Sequence, residues 1–278
     1  MRRHPLARPR LIGVDFSGAA KAGSLIWLAE AAPQRDGRLA LLSCRPASDL
    51  PGAAPERDRC LAALVDHVAD QADAAFGCDF PFSIPLPLAQ GAAWADYVGG
   101  FARRFADADA FRAACMNAAA GRELRRPTDR EARVPFCAYN IRLYRQTYHG
   151  IAGLLAPLVA GGRAAVLPMQ PAAAGRPLLL EICPASFQRR LGLYGKYGPY
   201  KGAAPACRAA RARLLDELIA ARLLAPPAAE LRETLLDNRG GDALDSAMAA
   251  IACRRALEEP GVDRPRTRDE AFEGRVYF

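Results

Sequence analysis

A chain of 278 residues, 51% hydrophobic and 24% charged, has the composition of a globular protein able to bury a sizeable core. No apolar run approaches the ~20 residues of a membrane-spanning helix, and no apolar stretch follows the N-terminal arginines to make a secretory signal, so a cytoplasmic protein without membrane contact is expected. The net charge of +8 comes almost wholly from arginine, with lysine only at 21, 196 and 201; a basic surface favours polyanions such as nucleic acid through counterion release.

Leu11 to Val14 carries the β-branched Ile12 and Val14 and reads as a buried strand. It ends on Asp15 and a small-residue turn from Ser17 to Gly23. Strands at Ser24 to Ala32 and Arg38 to Arg45 follow across short turns, which predicts an antiparallel meander. Pro55 to Asp73 reads as an amphipathic helix, with Cys60, Leu61, Leu64, Val65 and Val68 at helical spacing. A fourth strand, Ala74 to Cys78, runs into Asp79 and is stopped by Phe80-Pro81. Residues 86–160 are mostly helical, for example Phe101 to Ala119 and Asn140 to Leu158. No Pro/Gly/Ser-rich linker sets that stretch apart, so it is expected as a helical insertion or cap in a single domain spanning 1–278. The run Arg122 to Arg133 inside it is expected as a solvated charged loop, with a phosphate-binding patch as the alternative.

Strand character returns at Arg163 to Met169 and Pro177 to Cys183, the second carrying Glu181 within an apolar run. The most aromatic and glycine-rich stretch, Leu191 to Gly202, comes next, then helices over Pro205 to Leu224 and Pro227 to Asp237. The last helix opens with Gly240-Gly241-Asp242-Ala243-Leu244-Asp245, where Asp242 is a natural N-cap, and residues 273–278 make a final strand or a docked end. The eight cysteines show no Cys-x-x-Cys pair and no nearby histidine, which argues for reduced, buried thiols rather than a zinc site or disulfide framework. His67 and His149 have no partners at metal spacing, and neither a nucleophile elbow nor a GxxxxGK[ST] phosphate loop is present.

Five acids stand where apolar elements begin or end: Asp15, Asp79, Glu181, Asp242 and Asp245. A carboxylate at a buried strand end costs several kcal/mol unless cations or donors compensate it. Hard divalent ions, Mg²⁺ or Mn²⁺, prefer such oxygens, and two ions ~4 Å apart can stabilise both oxygens of an in-line phosphoryl displacement. The plainer account is separate turn caps and surface acids.

The order of elements, with Gly13-Val14-Asp15, Asp79-Phe80-Pro81, Tyr139 to Arg145, Glu181-Ile182-Cys183-Pro184, Tyr200-Lys201-Gly202 and Gly241 to Asp245, resembles the domain of unknown function 429 family (DUF429). Members of that family are regarded as ribonuclease-H-like and predicted to be nucleases. The resemblance covers most of the chain. It implies an α/β fold whose ribonuclease-H-like mixed sheet, an antiparallel meander plus parallel strands, is flanked by helices and carries a helical insertion. The Asp-x-x-Asp at 242 and 245 is also similar to that of Holliday-junction resolvases of this fold, which commonly carry glutamate at the fourth-strand position where this chain has Asp79.

The expected function is metal-dependent hydrolysis of DNA or RNA, with Asp15, Asp79 and Asp245 as principal ligands and Asp242 or Glu181 completing the shell. Lys196, Tyr200 and Lys201, with Arg142 and Arg145 on one helix face, are candidate contacts to substrate. Two alternatives stand beside this reading. One is an actin-like ATP-dependent phosphotransferase, suggested by Asp15-Phe16-Ser17-Gly18 but without a second phosphate motif; the other is a non-catalytic nucleic-acid- or protein-binding relic of the fold.

Overall fold

The computed structural model describes residues 6–89, 91 and 93–278; the arginines at positions 2 and 3 lie outside the described residues. The first strand, β1 (Arg10–Asp15), pairs antiparallel with β2 (Trp27–Pro33), which pairs antiparallel with β3 (Leu39–Pro46). On its other side β1 pairs in parallel with β4 (Ala74–Asp79), and β4 with β6 (Leu178–Ile182). The short strands β5 (Ala165–Leu167) and β7 (Val276–Tyr277) divide the outer edge of β6 between them. The sheet is therefore mixed, in the order β3-β2-β1-β4-β6-β5, with β7 beside β6. The expected final strand is present as β7.

Helices cover both faces. Leu11, Ala75, Leu178, Leu180 and Ile182 point to one side, against the helices Pro205–Ala220, Ala229–Asp237 and Asp242–Leu257. Ile12, Val14, Phe76, Cys78 and Leu179 point to the other, against α1 (Arg57–Ala69) and the helices of residues 86–160. That stretch shares its apolar layer with the sheet itself. Side chains alternate along a strand, so the parity of each position decides which layer it joins.

Two long helices expected in this stretch differ in detail. The first is broken: Phe101–Arg104 ends at an extended Phe105, and α2 (Ala108–Ala118) starts anew from Asp107, whose Oδ1 accepts from the Ala110 amide at 2.7 Å. The second begins later, as α3 (Tyr144–Gly150), because Asn140 Oδ1 takes the Arg142 amide in a turn; it continues through a wide π-type turn, Ile151–Leu155, to Ala160. The charged run 122–133 is exposed at most of its positions, but it is not wholly a solvated loop. Arg126 and Asp129 are buried, and Pro127–Glu131 is a short helix whose first turn is tied by Asp129 Oδ2 to the Arg126 amide at 2.9 Å.

The closing helix, α4 (Asp242–Leu257), is buried at 13 of its 16 positions. Its small residues meet a groove made by two glycines, Gly13 and Gly77, which face each other in the β1–β4 register. A Cβ on Gly13 would lie 1.8 Å from the Ser246 carbonyl oxygen, and one on Gly77 would lie 2.7 Å from that of Ala249. Backbone approach this close is open only to glycine. It brings the first turn of α4 to the ends of β1 and β4.

Candidate functional site

Asp15 and Asp79 are register partners at the ends of neighbouring parallel strands. Both have the parity of Gly13 and Gly77, so their side chains face the layer of α4, where Asp242 and Asp245 enter. Four carboxyls from β1, β4 and α4 thus converge, and each feels the charge of others. Asp15 is hydrogen-bonded to both Asp79 and Asp242. Burial first, then the negative charge of Asp245, lifts Asp15 well above the carboxylate range and pushes Asp79 up to about 7; Lys201 opposes both shifts. Burial also raises Asp242, again against Lys201.

Lys201 is the countercharge. Its Nζ lies 2.7 Å from Asp245 Oδ2, and its side chain is 53% exposed. Burial disfavours its charged form, but Asp245 and Asp15 outweigh that and raise its pKa. Tyr200 OH donates to Asp245 Oδ1 at 2.8 Å and accepts from Gln188 Nε2 at 3.2 Å. The backbone of this corner is held by the Arg211 guanidinium, which donates to the carbonyls of Tyr200, Gly202 and Leu236. Gly241, at φ 79°, occupies the cap position before α4, and a Cβ there would strike the Tyr200 ring at 2.9 Å. Asp242 is therefore the first residue of the helix and not its N-cap. Asn238 Oδ1 takes the Ala243 amide instead, at 3.3 Å.

Glu181 stands apart from the four aspartates. It pairs with Cys78 across β4 and β6, and its parity sends it to the opposite face of the sheet. There Arg126 Nη2 and Nη1 donate to its two oxygens at 2.5 and 2.9 Å, and the Phe82 amide donates at 2.9 Å. Arg126 also binds Asp129 and the Glu273 carbonyl. A carboxylate satisfied by this many donors is held in place, and it links the strand end to the short Pro127–Glu131 helix and the C-terminal segment while its charge still reaches Asp79.

The remaining expected contacts divide. Arg142 lines the cavity of about 400 Å³ that opens over Asp79, Glu181, Lys201 and Asp245. Arg145 does not line it and pairs with Asp109 at 3.4 Å; Lys196 turns away to Glu217 at 2.6 Å. Residues missed in the sequence are Gln146, whose amide donates to the Asp79 carbonyl, and Arg126 with Asp129. The Pro127-Thr128-Asp129 order, proline opening a turn and an acid at its third position, was the available signal for that short helix.

Among the described residues, no group of three or more His, Cys, Asp or Glu side chains forms a ready ion cage. In chemistry the four aspartates nonetheless suit a hard divalent cation, since they offer only carboxylate oxygens and Lys201 leaves them under-compensated. The chain matches no protein-family model, no curated protein and no solved structure.

Proposed function

We propose that this protein is a divalent-metal-dependent phosphodiesterase acting on nucleic acid, with a ribonuclease-H-like arrangement of its sheet. The observation that carries the reading is the convergence of Asp15, Asp79, Asp242 and Asp245 from segments far apart in sequence. The antiparallel β3-β2-β1 meander continued by the parallel β4 supports the same fold class.

Asp15, Asp79 and Asp245 would hold Mg²⁺ or Mn²⁺, with Asp242 completing the set. Such an ion supplies Lewis acidity and an activated water for phosphodiester hydrolysis. Tyr200 and Gln188 orient the Asp245 carboxyl, Gln146 fixes the end of β4, and Lys201 brings positive charge to the cavity floor. Incubation of the protein with labelled DNA and RNA strands and duplexes, with Mg²⁺ or Mn²⁺, tests the reading. Cleavage by the wild type and none by Asp245→Asn is the expected result; a wild type inert on every substrate overturns it.

A second reading has its own observation. The Lys201–Asp245 ion pair already gives the cluster a cation, as a nucleic-acid-binding protein without catalysis would use. Calorimetric titration with Mn²⁺ separates the two, because only the first requires the ion to bind at the aspartates.

A further inference from the structure

We infer that the mouth of this cleft is a base-stacking subsite and that the substrate is single-stranded nucleic acid, entering with its base out of the stack. The inference rests on the phosphodiesterase reading and goes beyond it by naming the form of the polymer. The cavity of about 400 Å³ is lined by two of the four acids, Asp79 and Asp245, by Lys201, and by Phe136, Tyr194 and Arg142. That volume is in the range of small-molecule sites, which suits one nucleotide unit rather than the flank of a duplex.

Of the aromatic residues that line the cavity, the structure braces Tyr194 and Phe136. Tyr194 is 50% exposed, a high value for so large a ring. The Arg189 guanidinium, which does not itself line the cavity, packs 3.8 Å from the centre of the Tyr194 ring. Arg189 Nη1 also donates to the Arg133 carbonyl at 2.8 Å, tying Tyr194 to the loop that carries Phe136. Arg125 fixes that loop further through the carbonyls of Val134 and Pro135, both at 2.8 Å. Arg142 lies 5.5 Å from the Phe136 ring centre and, among the described residues, has no carboxylate partner. Tyr200, the aromatic nearest the acids, is committed to Asp245 and Gln188 and is not available for stacking.

An exposed Tyr194 and a part-exposed Phe136 on a rigid backing, with an arginine that has no carboxylate partner beside them, are what an unstacked base and its phosphate require. In a duplex both faces of each base are already covered, so these rings would have nothing to hold until the base left the stack. Arg189 is a positioning residue in this account; Tyr194 and Phe136 make the contact.

The test measures binding by fluorescence anisotropy, with Ca²⁺ present, of a labelled oligothymidylate, an oligouridylate and a duplex of equal length. Wild-type protein is expected to bind the single strands at least tenfold tighter than the duplex. Tyr194→Ala and Phe136→Ala should each weaken single-strand binding about fivefold or more and leave duplex binding unchanged. Tyr194→Phe should retain tight binding, which separates stacking from loss of the hydroxyl. Equal affinity for strand and duplex, or two alanine variants that bind the single strands as wild type does, overturns the inference. If the duplex is nevertheless cleaved with Mn²⁺, the phosphodiesterase reading survives that failure; if no nucleic acid is bound or cleaved, both fall.

Discussion

The ammonium of Lys201 stands 2.7 Å from Asp245 Oδ2, one positive charge set against the converging carboxyls of Asp15, Asp79, Asp242 and Asp245. A single lysine does not neutralise four acids, and burial, deepest at Asp15 and Asp245, limits what water can do. The balance is met by protons, as the raised Asp15 and Asp79 show, or by a further cation.

Lys201→Met removes that countercharge and leaves Asp245 with Tyr200 alone. The metal-free variant should lose about 1–3 kcal/mol, less than for a fully enclosed pair because the lysine side chain is half exposed. Mn²⁺ should recover more stability in the variant than in wild type. Thermal melts with chelator and with Mn²⁺ check this; an equal Mn²⁺ response in both proteins would mean that Lys201 and the ion do not share the site.

In chelator, stability should fall as pH rises. Asp79 keeps its proton up to about pH 7 in the fold, whereas an unfolded aspartate releases it near pH ~4. The folded state binds more protons across this window, so its advantage is complete below the lower value and lost through the upper one. Asp15, raised by burial and by Asp245, contributes a loss of the same sign. Urea melts between pH 4 and 9 should show the slope in wild type and a flatter one in Asp79→Asn.

Asp15→Asn keeps the shape of a side chain that is hydrogen-bonded to Asp79 and Asp242. Metal-dependent cleavage should vanish, while metal-free stability stays at or above that of wild type, with an advantage that grows with pH. Cleavage by this variant at the wild-type rate would contradict the ligand role.

The two acids of α4 should not be equivalent. Asp245 is enclosed and holds both Tyr200 and Lys201, whereas Asp242 is less buried and serves no cap. Asp245→Asn should abolish cleavage and Asp242→Asn should leave part of it, read as the initial rate with Mn²⁺. The reverse order of rates would overturn the ranking.

Gly13→Ala places a methyl 1.8 Å from the Ser246 carbonyl oxygen, which is backbone and cannot swing aside. Helix α4 must shift, at a cost of about 1–3 kcal/mol. The variant should unfold at lower denaturant and bind Mn²⁺ more weakly, since the same shift withdraws Asp242 and Asp245 from the strand ends. Wild-type Mn²⁺ affinity in a destabilised variant would separate packing from the site.

Local chemistry by itself determined the strand ends at Asp15 and Asp79, the meander and α1. Each follows from apolar periodicity meeting a breaker or an acid, and that information is carried within a few residues. Strand register, and therefore side-chain face, depends on which strands meet. Asp15, Asp79 and Glu181 look alike in sequence, yet only the pairing of Cys78 with Glu181 sends the glutamate to the far face and into the grip of Arg126. Charge partners likewise depend on which surfaces come together. Lys196 and Lys201 lie five residues apart, but one turns to Glu217 and the other to Asp245. Arg126, within a run of charges that promised only solvent, became a buried junction because Glu181 and the Glu273 carbonyl arrive from two distant segments to join the local Asp129 in satisfying its donors. Tertiary structure alone decided these contacts, since a charge is buried only where distant partners repay its desolvation.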